Sequence, residues 1–173
     1  SADTLDGGAG TDTLGITLAA ATVAPTTTSI ETVNVTFGSA ANGALSVGNV
    51  AGAANFVIDT AVAGSGTDTT VTLVGVTDGS TVTFGGATAV NNDDTDNGTI
   101  DTVNGASINI VLNEDQATAN ANNGALTITD AVGVSVSQGT RAASIFTGAL
   151  TLDAADTTSF SLTGANSLAV TMG

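Results

Sequence analysis

Apolar residues in this chain recur at every second position, in clusters of two or three, and nowhere adopt the spacing of a helix. Val33, Val35 and Phe37 alternate with Thr32, Asn34 and Thr36; Val82 and Phe84 alternate with Thr81 and Thr83. The same rhythm returns at Leu45/Val47, Phe56/Ile58, Val71/Leu73, Ile108/Ile110/Leu112, Leu126/Ile128, Val134/Val136, Leu150/Leu152, Phe160/Leu162 and Leu168/Val170. A period of two places the apolar members of each cluster on one face of an extended strand. Gly, Asn, Asp or Ser ends each cluster, which bounds the strands at roughly 4–6 residues. The chain is therefore expected to be all-β. Only Leu18–Ala24 and Thr118–Asn123 lack the alternation over a stretch long enough for a helical turn.

Val33, Leu45, Phe56, Val71 and Val82 follow one another at short intervals, each about a dozen positions long. Such intervals suit a β-solenoid (a parallel β-helix or β-roll) or, as the alternative, a β-sandwich. Short strands and Gly/Asn/Asp-rich turns favour the solenoid. So does the scarcity of aromatics: five Phe and no Trp or Tyr leave little to fill the ~10 Å gap between packed sheets. Roughly a quarter of the residues are Val, Leu, Ile or Phe, enough to place the chain above the range of disordered sequences. No segment approaches the ~18 apolar residues of a membrane-spanning helix.

The charge is one-sided. Sixteen acidic residues face a single basic one, Arg141, for a formal net charge of -15, with no His, Lys or Cys. Without His, Lys and Cys there is no Ser-His-Asp, Cys-His or Ser-Lys catalysis and no Cys/His zinc site. Nucleic acid and anionic membranes are poor partners, because both are bound through Lys and Arg. Glu31 and Glu114 could pair as in glycosidases, but aromatic sugar platforms are missing. No catalytic role is visible; the chain is expected to be a structural or binding protein, with hard cations as its counter-charge.

Residues 7–15 read Gly7-Gly8-Ala9-Gly10-Thr11-Asp12-Thr13-Leu14-Gly15, which matches G-G-x-G-x-D-x-U-x, the calcium-binding nonapeptide of RTX β-rolls, at every fixed position. Asp3-Thr4-Leu5-Asp6 supplies the last four positions of a preceding copy, so Asp3 stands one nine-residue period before Asp12. A degenerate third copy is Gly64-Ser65-Gly66-Thr67-Asp68. The glycines permit a tight turn of converging carbonyls, and the Asp adds a carboxylate toward the six to eight oxygens that Ca²⁺ takes. A second acidic cluster holds Asp93, Asp94, Asp96 and Asp101. It fails the EF-hand pattern and reads either as an ion site or as a solvated loop. Asp153 and Asp156 read as a solvated turn, and Arg141 as a surface ion-pair residue.

The GGAGTDTL start, the TSIETVNVTF that follows and the long Ala/Thr/Gly/Val/Asn text of strands and turns resemble RTX-type surface-layer proteins of Gram-negative bacteria. The calcium motif covers residues 1–15; residues 16–173 resemble the family in composition and rhythm. The resemblance implies a fragment of a longer chain, exported by a type I pathway to the cell surface. There β-solenoid domains would tile with copies of themselves into a calcium-dependent lattice, with cell-surface polysaccharide engaged through another domain. It also implies Ca²⁺ at Asp12 with carbonyls at Gly8 and Gly10, and at Asp3 in the preceding turn. A repeat of a large secreted adhesin, or a non-catalytic part of an RTX hydrolase, are the other readings of the same residues. The absence of tandem nonapeptides beyond Gly15 argues against an extended β-roll.

Overall fold

The computed structural model describes residues 4–18, 22–37, 43–47, 50, 55–59, 69–85, 96–112, 125–138, 149–153, 155–164 and 169–173. These form, in chain order, β1 (Thr4–Asp6), β2 (Thr13–Leu18), β3 (Thr22–Val23), β4 (Thr26–Thr28), β5 (Thr32–Phe37), β6 (Gly43–Ser46), β7 (Asn55–Asp59), β8 (Thr69–Val76), β9 (Thr81–Phe84), β10 (Asp96–Leu112), β11 (Leu126–Gln138), β12 (Ala149–Leu152), β13 (Ser159–Thr163) and β14 (Ala169–Met172). There is no helix among them, and every strand pairing is parallel. The protein is a β-solenoid. The sandwich alternative is set aside, because sandwiches are built from antiparallel strands.

Two ladders run along the solenoid. The first stacks β2, β5, β7, β9, the second half of β10, the second half of β11, and β13. The second stacks β3, β6, β8, the first halves of β10 and β11, β12 and β14. At one end β1 pairs with β4, whose Thr27 bridges to Val50. The chain alternates between the ladders, which explains the short intervals between clusters in the sequence: each is half a coil. A full coil is longer, and its length is uneven. Leu14 has Val33 as its neighbour on the next coil, whereas Val82 has to wait until Ile110.

Each ladder lines up inward columns, of which one in each is the longest. In the first, Leu14, Val33, Phe56, Val82, Ile110, Val136 and Leu162 lie in register. In the second, Val23, Leu45, Leu73, Ile100, Ile128, Leu152 and Met172 do so. The interior members of both columns are fully or almost fully buried. Medium-sized side chains suffice, because only one layer of residues from each ladder fills the space between them. The alternating clusters of the sequence fall on strands as expected. Leu18–Ala24 differs from the helical expectation: Leu18 closes β2, and Thr22–Val23 form β3 by pairing with Ala44 and Leu45. Tertiary pairing overrides the weak local preference there. Thr118–Asn123 lies outside the described residues.

Candidate functional site

Gly7 to Asp12 form the turn that carries the chain from β1 into β2. The turn is fastened to the next coil by backbone. Gly7 N–H donates to the Thr28 carbonyl at 3.0 Å, and the N–H groups of Glu31 and Thr32 both donate to the Asp12 carbonyl at 3.2 Å. Gly8 and Gly10 have φ of 81° and 134°, conformations that side-chain-bearing residues avoid. Gly7 is required for a different reason: a Cβ there would stand 2.0 Å from the Ser29 carbonyl oxygen and 2.8 Å from Asp12 Cβ.

Three carboxylates attend this turn. Asp6 Oδ1 accepts from Gly8 N–H at 3.0 Å. That bond, with the Thr28 and Ser29 hydroxyls, holds the Asp6 carboxyl below its ordinary value against a smaller opposing effect of burial. Glu31 Oε2 accepts from Asp12 N–H at 2.7 Å. Asp12 Oδ2 is buried and has no hydrogen-bond partner. An oxygen of this kind is costly unless something compensates it. A second buried oxygen without a partner, Thr27 Oγ1, lies in the neighbouring β4. Glu31 was not recognisable from the motif: it is remote from Asp12 in the chain, and only coil closure brings them together.

Further along the same side of the solenoid, the connections that lead into the first ladder carry Asp78, Asp101, Asp130, Asp153 and Asp156. Of these, Asp101, Asp153 and Asp156 stand near Asp130. Asp101 sits where β10 shifts register, and its Oδ1 accepts from the Thr129 hydroxyl at 3.2 Å. Asp130 occupies the matching shift in β11, in a left-handed conformation with φ of 61°. Its carboxyl is pushed above its ordinary value, first by burial and then by the charges of Asp101, Asp156 and Asp153. Asp153 Oδ1 accepts from Ala155 N–H at 2.9 Å, and Asp78 Oδ1 from Ser107 N–H at 2.8 Å. Asp153 and Asp156 flank a turn, as expected, and their charges reach Asp130.

Of the acidic cluster of the sequence, the backbone of Asp96 and the whole of Asp101 are described. Asp96 opens β10 and Asp101 lies further along the same extended strand, about 16 Å away at the rise of a β-strand. Asp3, Gly64, Gly66, Asp68, Asp93, Asp94, Glu114 and Arg141 lie outside the described residues. Among the described residues no group of three or more acidic side chains is arranged to hold a metal ion, and no helix is long and apolar enough to cross a membrane. No protein-family model matches the chain, and neither a curated protein nor a solved structure is significantly similar to it.

The residues at the first turn suit a hard cation in part. Asp12 offers a buried oxygen that nothing in the chain satisfies, and the turn around it is built from glycines. Asp12 and Glu31 bring two carboxylates, and further oxygens must come from backbone or water. The Asp101–Asp130–Asp153–Asp156 run suits diffuse counter-ions, since the charges of the other three bear on Asp130, and Asp101 and Asp153 already accept hydrogen bonds within the fold.

Proposed function

We propose that the chain is a structural component of a bacterial cell-surface layer that self-assembles into a calcium-stabilised lattice. One observation carries the calcium part: Asp12 Oδ2 is buried without a partner inside the only intact nonapeptide of calcium-binding type. Asp12, with the carbonyls of Gly8 and Gly10, would hold Ca²⁺, and Ca²⁺ would supply the missing compensation for that oxygen. The structural part is supported by a repetitive β-solenoid and by a composition without His, Lys or Cys, in which no catalytic role is assigned. Partners are further copies of the chain, with cell-surface polysaccharide reached through another domain.

The charge of -15 fits export by a type I pathway. Before calcium is met the acidic chain repels itself and stays extended, and outside the cell ion binding favours the fold. Thermal melts with Ca²⁺ and with EGTA, paired with negative-stain micrographs in both conditions, test the proposal. A lower melting temperature and loss of ordered assemblies in EGTA are expected. Indifference of both to chelation overturns it.

A further inference from the structure

Four Asn-Gly pairs occur in the chain: Asn42-Gly43, Asn97-Gly98, Asn104-Gly105 and Asn123-Gly124. Asn42, Asn123 and Gly124 lie outside the described residues. Asn97-Gly98 and Asn104-Gly105 share β10 and stand in opposite surroundings there. Asn97 and Gly98 are inside the second ladder, opposite Thr70 and Val71 of β8, and Gly98 also faces Leu126 of β11. Gly98 N–H donates to the Ala125 carbonyl at 3.0 Å, and Gly98 is buried. Asn104 and Gly105 stand where β10 passes from the second ladder to the first. The pairing with β8 ends at Thr102, that with β9 begins at Asn109, and the register with β11 jumps from Asp101 to Ala106. Neither Asn104 nor Gly105 has a place in a described register, as befits the extra residues of a bulge. Both are exposed, Gly105 has φ of 87°, and a Cβ built on it meets nothing within 4 Å.

We propose that Asn104 is a site of self-modification in the folded protein: the Gly105 backbone nitrogen closes onto the Asn104 side chain, and the residue ends as aspartate or isoaspartate. The Gly105 N–H loses its proton to water, and the nitrogen attacks Asn104 Cγ. An N–Cγ bond forms, the bond from Cγ to the side-chain nitrogen breaks, and that nitrogen leaves as ammonia with a proton from solvent. Water then opens the five-membered imide, its hydroxyl going to one carbonyl carbon and its proton to the nitrogen. Breaking the new N–Cγ bond gives aspartate. Breaking the original peptide bond gives isoaspartate, with one further atom in the backbone. The sum is amide plus water to acid plus ammonia, with no oxidant or reductant. Ring closure needs a nitrogen outside the ladder, no Cβ on the residue that carries it, and a backbone that is not pinned in the extended form. Gly105 meets these needs, whereas the nitrogen of Gly98 is bonded within the ladder. The product adds a negative charge to the segment of β10 that lies opposite Asp130 of β11. The proposal is independent of the calcium and assembly readings above.

The test is peptide mapping by mass spectrometry after the intact chain has been held at body temperature in mildly alkaline buffer, with and without urea. A protease that cuts before Asp separates the two pairs, Asn97 in fragment 96–100 and Asn104 in fragment 101–114. Without urea, fragment 101–114 is expected to gain the mass of an amide-to-acid change at least about tenfold faster than fragment 96–100, because reaction at Asn97 waits for the ladder to open. In urea that difference should vanish, since both pairs are then free of the fold. The same protease cuts before a new aspartate at 104 and leaves isoaspartate uncut, so the two products are counted apart. Asn104→Gln, whose longer side chain disfavours the ring, should abolish the gain in fragment 101–114. A gain that survives this variant lies at Asn109 or Asn113 and overturns the proposal. So does a folded chain in which fragment 101–114 keeps its mass, or in which Asn97 reacts as fast as Asn104.

Discussion

Asp12→Asn should change stability in opposite directions with and without calcium. In the absence of ions the wild-type carboxylate keeps one oxygen buried and unpaired, next to a backbone N–H already engaged by the Glu31 carboxylate. An unsatisfied buried polar group costs about 1–3 kcal/mol, and more when charged. Replacing the carboxylate by the amide removes the negative charge and supplies a donor that the neighbouring Glu31 can accept from. A gain of about 1–2 kcal/mol in EGTA follows, which for a chain of this size is roughly 2–8 °C in Tm. In calcium the order reverses. An ion at a hundred times its dissociation constant stabilises the wild type by ~2.7 kcal/mol, and the variant loses most of that. Differential scanning fluorimetry of both proteins, each in EGTA and in millimolar Ca²⁺, reads the crossing directly. If the variant melts below the wild type in both buffers, the carboxylate is held by the protein alone and the reasoning fails.

Gly7→Ala should lower Tm sharply, because its Cβ would meet the Ser29 carbonyl oxygen at 2.0 Å; overpacking of about 1–3 kcal/mol is expected. Gly15→Ala, whose Cβ has open space, should stay within ~0.5 kcal/mol by urea denaturation, as ordinary surface changes do. Ile128→Ala removes a fully buried member of the second column and should cost about 2–5 kcal/mol by the same assay. Asp130→Asn tests the shifted carboxyl of that residue through pH. Asp130's carboxyl is raised above 3.8 in the fold, so its charged form opposes folding at neutral pH, and that penalty fades as pH falls through the folded value. The variant should therefore melt above the wild type at pH 7 and converge with it below about pH 4; an equal difference at both pH values would refute the assignment.

The strands were legible because their signal is local. Alternation at Val33–Val35 or Val82–Phe84 states which side chains turn inward, whatever the neighbours are. The glycines and Asp of residues 7–12 were legible in the same way, since a turn is set by its own backbone. The failed expectation at Leu18–Ala24 shows the limit: two residues, Thr22 and Val23, are a strand only because Ala44 and Leu45 pair with them. Likewise the spread of Asp96 and Asp101 along one strand is invisible in a count of acids per window.

What the sequence by itself determined is the inventory of short strands, the face each turns inward, the tight glycine turn and the preference for a solenoid over a sandwich. All of these follow from period-two patterning and local backbone chemistry. Only the tertiary structure decided which strand lies on which. Coils as unequal as Leu14 to Val33 and Val82 to Ile110 carry no single period. Parallel pairing is made between residues far apart in the chain, at points set by the coil's closure. That closure sets Glu31 against Asp12 and brings Asp101, Asp153 and Asp156 to Asp130.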